Sequence, residues 1–379
     1  MATDLIKEEE QISTKDCSEE VSDFKELCRF VKLSTPNTLV MFLMYLQMTL
    51  TINFAAKQLG TEEMASISLS ALTANLSGLA FIYGLLSAVD TLAPQSFGAG
   101  NLQEVGFLVQ RGLICILSTF SLTFLILFNA EAILLGVGQP EIESHLAGVF
   151  LKYYFFTIPA LAIWECSRRF LWSQDVSQWP FVLIAAIVLI IHFCALKILL
   201  PIFGFHGAPI SHLVTSWCMC LGVLIWLKTC HPHHPLTWEW NVKQVFHRDS
   251  LKEFLRLGIP GIFSMSEWMF FEFFIFLSGT LGKTSLAANS IAYTIIPLVY
   301  TIPFGLSTAA TARIGYLLAQ DNVKSAKKLT QLILILTIIF ALLAVLLVEM
   351  LRDQLINMFS SSVPVQELTK QIWNYVCLL

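Results

Sequence analysis

Residues 264–276 read Ser-Met-Ser-Glu-Trp-Met-Phe-Phe-Glu-Phe-Phe-Ile-Phe and place two carboxylates, Glu267 and Glu272, inside the apolar run 258–281. A run of about 20 apolar residues predicts a helix that crosses a membrane. A carboxylate at bilayer depth is costly unless it is protonated, paired or facing a polar cavity, so such residues mark functional sites. This stretch therefore predicts a membrane fold and a site within it.

The composition of the whole chain agrees with a membrane fold. Of its 379 residues, 56% are hydrophobic and only 13% are charged, and the mean hydropathy is +0.69. Soluble domains carry about 25% charged residues, because they must cover their surface with polar groups. We therefore expect an all-α polytopic membrane protein.

Several other classes of function are disfavoured by the residues present. There is no basic patch of the size that nucleic acid requires. The nine cysteines show no C-x-x-C spacing, so we expect neither a metal site nor a disulfide framework. No nucleophile–base or metal-ligand constellation appears, so we expect neither an enzyme nor a bound cofactor.

Nine apolar runs predict membrane helices, and a tenth helix begins before the chain stops. The runs cover residues 36–55, 67–92, 106–128, 147–171, 180–202, 206–228, 258–281, 285–318 and 329–350, and the tenth covers 366–379. The eighth run is too long for one straight span, so we expect it to extend into the cytosol near Arg313. The polar residues 1–30 are expected to form a disordered cytosolic tail.

The orientation in the membrane follows from the basic residues, which concentrate on the inner side. With the N-terminus inside, the inner side carries Arg111, Arg168, Arg169, Lys228, Lys243, Arg248, Lys252, Arg256, Arg313, Lys324, Lys327 and Lys328, and the outer side carries only Lys57, Lys197, Lys283 and Arg352. We therefore expect a cytosolic N-terminus. Arg168 and Arg169 are interpreted as topology determinants, with Glu165 paired to Arg169 one helical turn away.

The longest inner connection and a faint internal repeat define the domains. Residues 86–91 resemble residues 306–311, and Asn101 corresponds to Asn322, which is an offset of about 220 residues. Parallel repeats of six helices are a transporter architecture with the substrate site between the halves. We predict a six-helix N-lobe over 31–229, a cytosolic linker over 230–257, and over 258–379 a C-lobe truncated after about three to four helices. The histidine cluster 231–234 is interpreted as part of the linker.

Four motifs resemble the eukaryotic branch of the multidrug and toxic compound extrusion (MATE) family. They are Ser87-Ala-Val-Asp-Thr-Leu-Ala-Pro-Gln-Ser-Phe-Gly-Ala-Gly-Asn101; Arg169-Phe-Leu-Trp-Ser-Gln174, followed by Pro180; Glu267-Trp-Met-Phe-Phe-Glu272; and Pro303-Phe-Gly-Leu-Ser307 with Ala310-Thr-Ala-Arg-Ile-Gly315. The resemblance spans residues 30–379 with the helix order preserved. It implies two six-helix bundles around a central cavity that opens alternately to either side.

The resemblance also implies a function, namely export of organic cations and other xenobiotics in exchange for protons or sodium ions. Where many animal members carry another glutamate in the eighth helix, this chain reads Ala292-Tyr293-Thr294, so the coupling ion and the substrate stay open. Two alternatives stay open as well. One is a lipid-linked saccharide flippase of the same superfamily, which the acidic motif disfavours, and the other is a transport-inactive truncated isoform.

The glutamates of the seventh helix are the expected site of proton and cation binding. On a helical wheel Glu267 and Glu272 flank one small and polar face, about 7.5 Å apart along the axis. Burial raises the pKa of a carboxyl group, so an organic cation that favours the ionised form would displace the proton. Trp268 and Tyr293 supply aromatic faces for the cation. The alternative, static pairing with a neighbouring helix, stays open for each glutamate.

Two further candidate residues lie outside the seventh helix. Asp90, near the inner end of the second helix, is a possible gate or a cap to the following loop. His192 lies in the middle of a span, where a hydrogen-bonded core histidine is favoured over a titrating one. The expected partners are small organic cations and the lipid bilayer, with the chain a monomer. The expected location is the plasma membrane or a vacuolar or endosomal membrane.

Overall fold

The computed structural model describes residues 23–265, 277, 278, 281, 283–359 and 363–378. All regular elements in this part of the chain are helical. The α-helices are α1 Asp23–Gln58, α2 Thr61–Ala74, α3 Ala80–Gly98, α4 Leu102–Ser118, α5 Phe120–Phe128, α6 Ala130–Gly136, α7 Glu141–Phe155, α8 Ile158–Trp172, α9 Trp179–Phe203, α10 Gly207–Cys230, α11 Val242–Val245, α12 Arg248–Ser264, α13 Lys283–Ala319, α14 Val323–Met350, α15 Arg352–Phe359 and α16 Val363–Leu378.

The described helices are long and apolar enough to cross a membrane several times. Five helical stretches pass that test, one of them the 52 residues that α9 and α10 form together, and the bent pair α7 and α8 makes a sixth span. The prediction of an all-α polytopic membrane protein is confirmed. The helix that begins the predicted tenth span is present as α16, whereas most of the run 265–282 lies outside the described residues.

Two spans are irregular where the sequence predicted straight helices. The predicted helix 147–171 is bent by 52° between α7 and α8, because Pro159 in the first turn of α8 has no N–H to continue the hydrogen-bond ladder. A π-helical turn, Asn75–Leu79, joins α2 to α3. The carbonyl of Ser77 in that turn accepts a hydrogen bond of 3.0 Å from the Thr123 hydroxyl, which ties the irregular turn to α5.

The internal repeat is visible as one turn that occurs twice. After α3, Gly100 has φ 78°, and the N–H of Asn101 donates to the Ser96 carbonyl at 2.9 Å. After α13, Asp321 has φ 58°, and the N–H of Asn322 donates to the Leu317 carbonyl at 3.0 Å. In both places the asparagine precedes the first residue of the next helix. The same left-handed helix ending in both halves supports the predicted relation between them.

The N-lobe, α1 to α10, has its own apolar core, and a second core spans both lobes. The first core is built mainly from α3, α4, α8, α9 and α10. The second joins Phe30 of α1 and Trp172 of α8 to Leu306 and Ala309 of α13 and Leu329 of α14. We call the end of the bundle at which α1 begins, and at which α3 and α13 end, the α1 face. The shared core lies towards this face, so the two lobes are closed against each other there.

Glycines let helices of the two lobes approach each other closely. A Cβ added to Gly84 of α3 would overlap the backbone of Ile262 in α12, and one added to Gly261 would overlap the Gly84 carbonyl and the Ser87 hydroxyl. A Cβ at Gly305 of α13 would collide with Thr38 of α1. Small residues at such crossings allow backbones to pack directly on one another, as in other membrane helix pairs.

Two predicted boundaries need correction. The disordered tail was expected over residues 1–30, but α1 begins at Asp23, and Phe30 is fully buried in the core that the lobes share. Packing of that side chain explains why the helix starts before the apolar run. The linker 230–257 is also more ordered than expected, because it contains α11 and the first ten residues of α12.

The Gly84–Gly261 crossing generates a first prediction. Gly261→Ala should lower the thermal unfolding midpoint (Tm) of the purified protein, because the added methyl group overpacks the contact and costs about 1–3 kcal/mol. The measurement is a thermal unfolding curve in detergent or in nanodiscs.

The matched control is Gly136→Ala in α6, where an added Cβ meets nothing within 4 Å. Alanine in place of glycine improves helix propensity by up to about 1 kcal/mol at either position, so only packing distinguishes the two variants. Equal Tm values for both variants would contradict the close contact between the lobes.

Candidate functional site

The structure locates some of the predicted site residues and leaves others outside its described part. Glu267, Trp268 and Glu272 lie outside the described residues, so their roles stay predictions. Tyr293 belongs to α13, and its side chain is likewise outside the description. Asp90 belongs to α3 and takes part in a network of charged side chains.

The network begins with Asp90, which pairs with Arg169 of α8. The Arg169 Nε lies 3.1 Å from Asp90 Oδ1, and the same guanidinium pairs with Glu165 one helical turn earlier. The ring of Tyr83 lies 5.6 Å from the guanidinium carbon and covers one of its faces. Arg169 and Glu165 are almost fully buried, while a quarter of the Asp90 side chain is exposed. The predicted pairing of Glu165 with Arg169 is confirmed.

Arg168 extends the network from α8 to the other lobe. Its Nη2 donates to Glu165 Oε2 at 3.1 Å, and its Nη1 donates to Asn37 Oδ1 of α1 at 2.9 Å. The Asn37 side-chain amide in turn donates to the Thr308 hydroxyl at 2.6 Å and to the Gly305 carbonyl at 3.4 Å, both on α13. Asn37 is fully buried. The chain of bonds thus runs from the N-lobe helix α8 through α1 to the C-lobe helix α13.

The interpretation of Arg168 and Arg169 as topology determinants at a helix end needs correction. Both side chains are buried, at 3% and 5% exposure, rather than extended into water. Burying a guanidinium among apolar helices is costly unless a carboxylate compensates it, and Glu165 and Asp90 supply the two negative charges that balance the two arginines. The Glu165 Oε1 and the Arg168 Nε make no hydrogen bond within the described part of the chain, so the network retains bonding capacity.

The missed member of this network is Asn37. Its partners are 131 residues away in Arg168 and 271 residues away in Thr308, so no local spacing indicates the contacts. The signal that was available is compositional. Pro36 and Asn37 are unusual within an apolar span, and a buried asparagine needs partners for four hydrogen bonds.

A second polar cluster lies inside the N-lobe, further from the α1 face. The Nε2 atoms of His192 and His212 lie 2.8 and 2.9 Å from the Thr51 hydroxyl, and the amide of Gln47 donates to the Thr215 hydroxyl at 2.8 Å. Both histidines are buried. The cluster satisfies its polar atoms internally and joins α1, α9 and α10. His192 is therefore a hydrogen-bonded core histidine, which is the interpretation that the sequence favoured.

The histidines that follow α10 do not form a metal site in this structure. Among the described residues, no group of three or more His, Cys, Asp or Glu side chains is close enough to hold a metal ion. His233 packs against Phe170 with 5.5 Å between ring centroids. Its pKa is lowered by partial burial and by the neighbouring His231, so it is neutral at physiological pH.

Comparison with known proteins places the chain in a family. The family model described as MatE matches residues 36–196 and 260–379, which is most of the chain. The chain belongs to the MatE family. The first matched range contains Asn37, Asp90 and the α8 charges, and the second contains Thr308, so the network joins both matched parts of the family domain.

The curated MatE relatives are longer than this chain. An uncharacterized transporter of Schizosaccharomyces pombe is 33% identical over 364 residues, which cover 94% of this chain and 66% of the relative. Multidrug and toxin extrusion protein 1 of Danio rerio is 26% identical over 354 residues, which cover 92% of this chain and 58% of the relative. The chain thus spans roughly three fifths to two thirds of the length of these relatives.

Solved structures of MATE transporters share the fold. The crystal structure of the eukaryotic MATE transporter AtDTX14 superimposes with a TM-score of 0.86 at 23% identity, over 94% of this chain and 80% of that one. An outward-facing MATE family transporter superimposes with a TM-score of 0.76 at 18% identity, over 90% of this chain and 76% of that one. The described helices therefore adopt the MATE arrangement.

The charged network generates a second prediction. Glu165→Gln should lower the stability of the protein by about 3–5 kcal/mol, because two buried guanidinium groups would then be balanced by a single carboxylate, that of Asp90. Asp90→Asn should cost less, because Asp90 is partly exposed and Arg169 keeps Glu165. The measurement is the Tm of each variant in detergent.

The control for this prediction is Glu349→Gln. Glu349 pairs with Arg352 at 3.0 Å, but both side chains are exposed, and surface pairs contribute about 0–1 kcal/mol. A Glu165→Gln variant as stable as Glu349→Gln would show that the α8 network does not hold the fold together.

Proposed function

We propose that this chain is a secondary active antiporter that exports organic cations and xenobiotics in exchange for protons, with sodium as the other possible coupling ion. It would work by alternating access, in which the two lobes close against each other at one membrane face and separate at the other. The named relatives that support this proposal are multidrug and toxin extrusion proteins. Membership of the MatE family supports it as well.

The observation that carries the proposal is the way in which the two lobes contact each other. The lobes are joined by glycine crossings, by an apolar core towards the α1 face and by the hydrogen bonds from Asn37 to α13. Individual hydrogen bonds contribute about 0.5–1.5 kcal/mol each, so a few of them can form and break within one transport cycle. A lobe interface of this kind suits a gate that opens and closes better than a permanently closed contact.

The orientation of the gate is part of the proposal. Basic residues lie mostly on the side of the α1 face, which places that face and the N-terminus in the cytosol. The conformation described here is then closed to the cytosol and would release substrate to the other side. Asp90 and the α8 arginines would act in the gate and not in substrate binding, because their charges are already balanced.

We propose that the proton and the substrate bind at the two glutamates, Glu267 and Glu272. Two carboxylates in an apolar span can bind either a proton or an organic cation, and that competition is sufficient to couple opposite movements. Trp268 and Tyr293 would contribute aromatic faces to a bound cation. We propose a monomer in the plasma membrane or an endosomal or vacuolar membrane as the working form.

A third prediction tests the coupling residues. In proteoliposomes, a pH gradient should drive uptake of a fluorescent organic cation, and Glu267→Gln and Glu272→Gln should each abolish that uptake, because a glutamine cannot exchange a proton for a cation. Glu253→Gln, on the exposed side of α12, is the control and should transport normally. Normal pH-driven uptake by both site variants would refute the proposed coupling role.

A fourth prediction tests the gate independently of the substrate. Thr308→Val removes the hydroxyl that accepts from Asn37, whereas Thr311→Val, one helical turn later, removes a hydroxyl bonded only to its own helix. Losing one hydrogen bond of about 0.5–1.5 kcal/mol should shift the closed population roughly 2- to 12-fold towards the open state. Distances between spin labels on Lys228→Cys and Lys327→Cys report that population.

Only the Thr308→Val variant should lengthen the label-to-label distance. Lys228 and Lys327 suit this measurement because both side chains are exposed, one at the end of α10 and the other near the start of α14. Identical distance distributions for Thr308→Val and Thr311→Val would show that Asn37 does not hold the lobes together. That outcome would leave the coupling test of the glutamates unaffected.

A further inference from the structure

The segment between the lobes is fixed to the N-lobe by a buried arginine. Arg111 of α4 is 1% exposed, and its Nε and Nη2 donate to the carbonyls of Val245 and Gln244 at 3.0 and 2.9 Å. The same guanidinium pairs with Glu104, which lies two helical turns earlier in α4. A buried charge is therefore used to hold main-chain carbonyls of α11, which makes this attachment part of the N-lobe structure.

Two glutamines attach the earlier part of the segment. Gln174 Oε1 accepts from the His234 N–H at 2.9 Å and from the Thr237 hydroxyl at 3.1 Å. The Gln110 side chain donates to the Glu239 carbonyl at 2.8 Å. Residues 234–245 are thus held at several points, and the side chains they expose are displayed in a fixed arrangement. We call residues 235–247 the inter-lobe strap.

The inter-lobe strap exposes about half or more of several large apolar side chains, although the ring of Trp238 also packs on Phe170 of α8. These side chains are Leu236 at 60% exposure, Trp238 at 47%, Trp240 at 61%, Val242 at 54% and Phe246 at 54%. Two of them, Val242 and Phe246, are four residues apart across the short helix α11 and so share one face. An exposed apolar group of this size on an ordered segment marks an interaction surface.

The depth of the strap along the bundle identifies its surroundings. Thr237 lies against Gly106, and Gln244 lies against Arg111, so the strap runs beside the first turns of α4. Arg111 is the last charged residue of α4, and the residues from there to Phe128 carry no charge. Lys228 likewise ends the uncharged run of α10. The strap therefore lies at the level where the apolar spans begin, which is the membrane–water interface.

The charges around the strap are mostly positive. The exposed basic residues are Lys228, Lys243, Arg248, Lys252 and Arg256, and the acidic ones are Glu239, Asp249 and Glu253. Tryptophan at the headgroup level together with exposed Lys and Arg is the combination that binds a membrane surface rich in anionic lipid. The strap itself carries one lysine, Lys243, and one glutamate, Glu239, so the positive balance comes from the basic residues that flank it.

We propose that the inter-lobe strap is a lipid-binding surface. Its apolar side chains, Trp240 foremost, insert into the headgroup region of the bilayer, while Lys243 and Arg248 contact anionic headgroups. Because Arg111, Gln110 and Gln174 bind the strap to the N-lobe, the surface anchors that lobe to the membrane. This inference does not depend on the transported substrate or on the coupling ion.

A fifth prediction measures the depth of the strap. Spin labels are placed at Trp240→Cys and, three residues on, at Lys243→Cys, in a background whose native cysteines are replaced by serine. In phosphatidylcholine–phosphatidylserine vesicles, collisions with oxygen should dominate for the label at 240, and collisions with a water-soluble nickel complex should dominate for the label at 243. Equal access of the nickel complex to both labels would overturn the proposal and would favour a protein partner.

The lipid charge is tested by the same protein in two membranes. Adding phosphatidylserine to phosphatidylcholine nanodiscs should raise the Tm of the unaltered chain, and Lys243→Gln/Arg248→Gln should lose that increase. Lys57→Gln/Lys197→Gln, which removes two exposed charges elsewhere, should retain it. An increase that is the same in all three proteins would show that the strap does not recognise anionic lipid.

Discussion

A guanidinium group buried among apolar helices must be compensated, and this constraint organises the centre of the molecule. Arg168 and Arg169 are adjacent on α8, so they point in different directions, and each needs its own partners. Glu165 lies between them and bonds to both, Asp90 completes Arg169, and Asn37 completes Arg168. Through Asn37 the same requirement reaches α13, because an asparagine whose carbonyl oxygen is held by Arg168 can only direct its N–H groups outward, to Thr308 and Gly305. The pairing of the charges on α8 therefore also helps to position α13 of the second lobe.

The contact between the lobes combines this polar link with close backbone packing. Gly84, Gly261 and Gly305 remove the side chains that would otherwise separate the helices, and the core around Phe30 and Leu306 closes the remaining space. In a bilayer, apolar burial gives little net drive for association, so packing and hydrogen bonds between small residues determine the stability of such contacts. An interface with these properties is specific in its register.

The fold was predictable from the sequence to the extent that it depends on local pattern. Apolar runs located the spans, and the motif pair around Asn101 and Asn322 indicated the repeat, whose two turns prove to have the same hydrogen bonds. The bend before Pro159 was not predicted, because the apolar run 147–171 continues through it without a break. The burial of Arg168 could not be predicted from the sequence. A basic residue near a helix end looks the same in sequence whether its side chain reaches water or binds a partner 131 residues away. The candidate network therefore required the tertiary structure.

The attachment of the inter-lobe strap limits where the chain can accommodate movement between the lobes. Arg111 binds the strap as far as Val245, so α11 must follow the N-lobe. The helix α12 begins at Arg248 and packs on α3 through Gly261, a contact that belongs to the lobe interface. Phe246 and His247 are the only two residues between α11 and α12. The helix α12 is itself packed on the N-lobe, because the fully buried Phe254 belongs to the N-lobe core and lies against Gly112 of α4. The strap and α12 are thus both attached to the N-lobe, so any movement between α12 and the N-lobe would have to displace buried side chains.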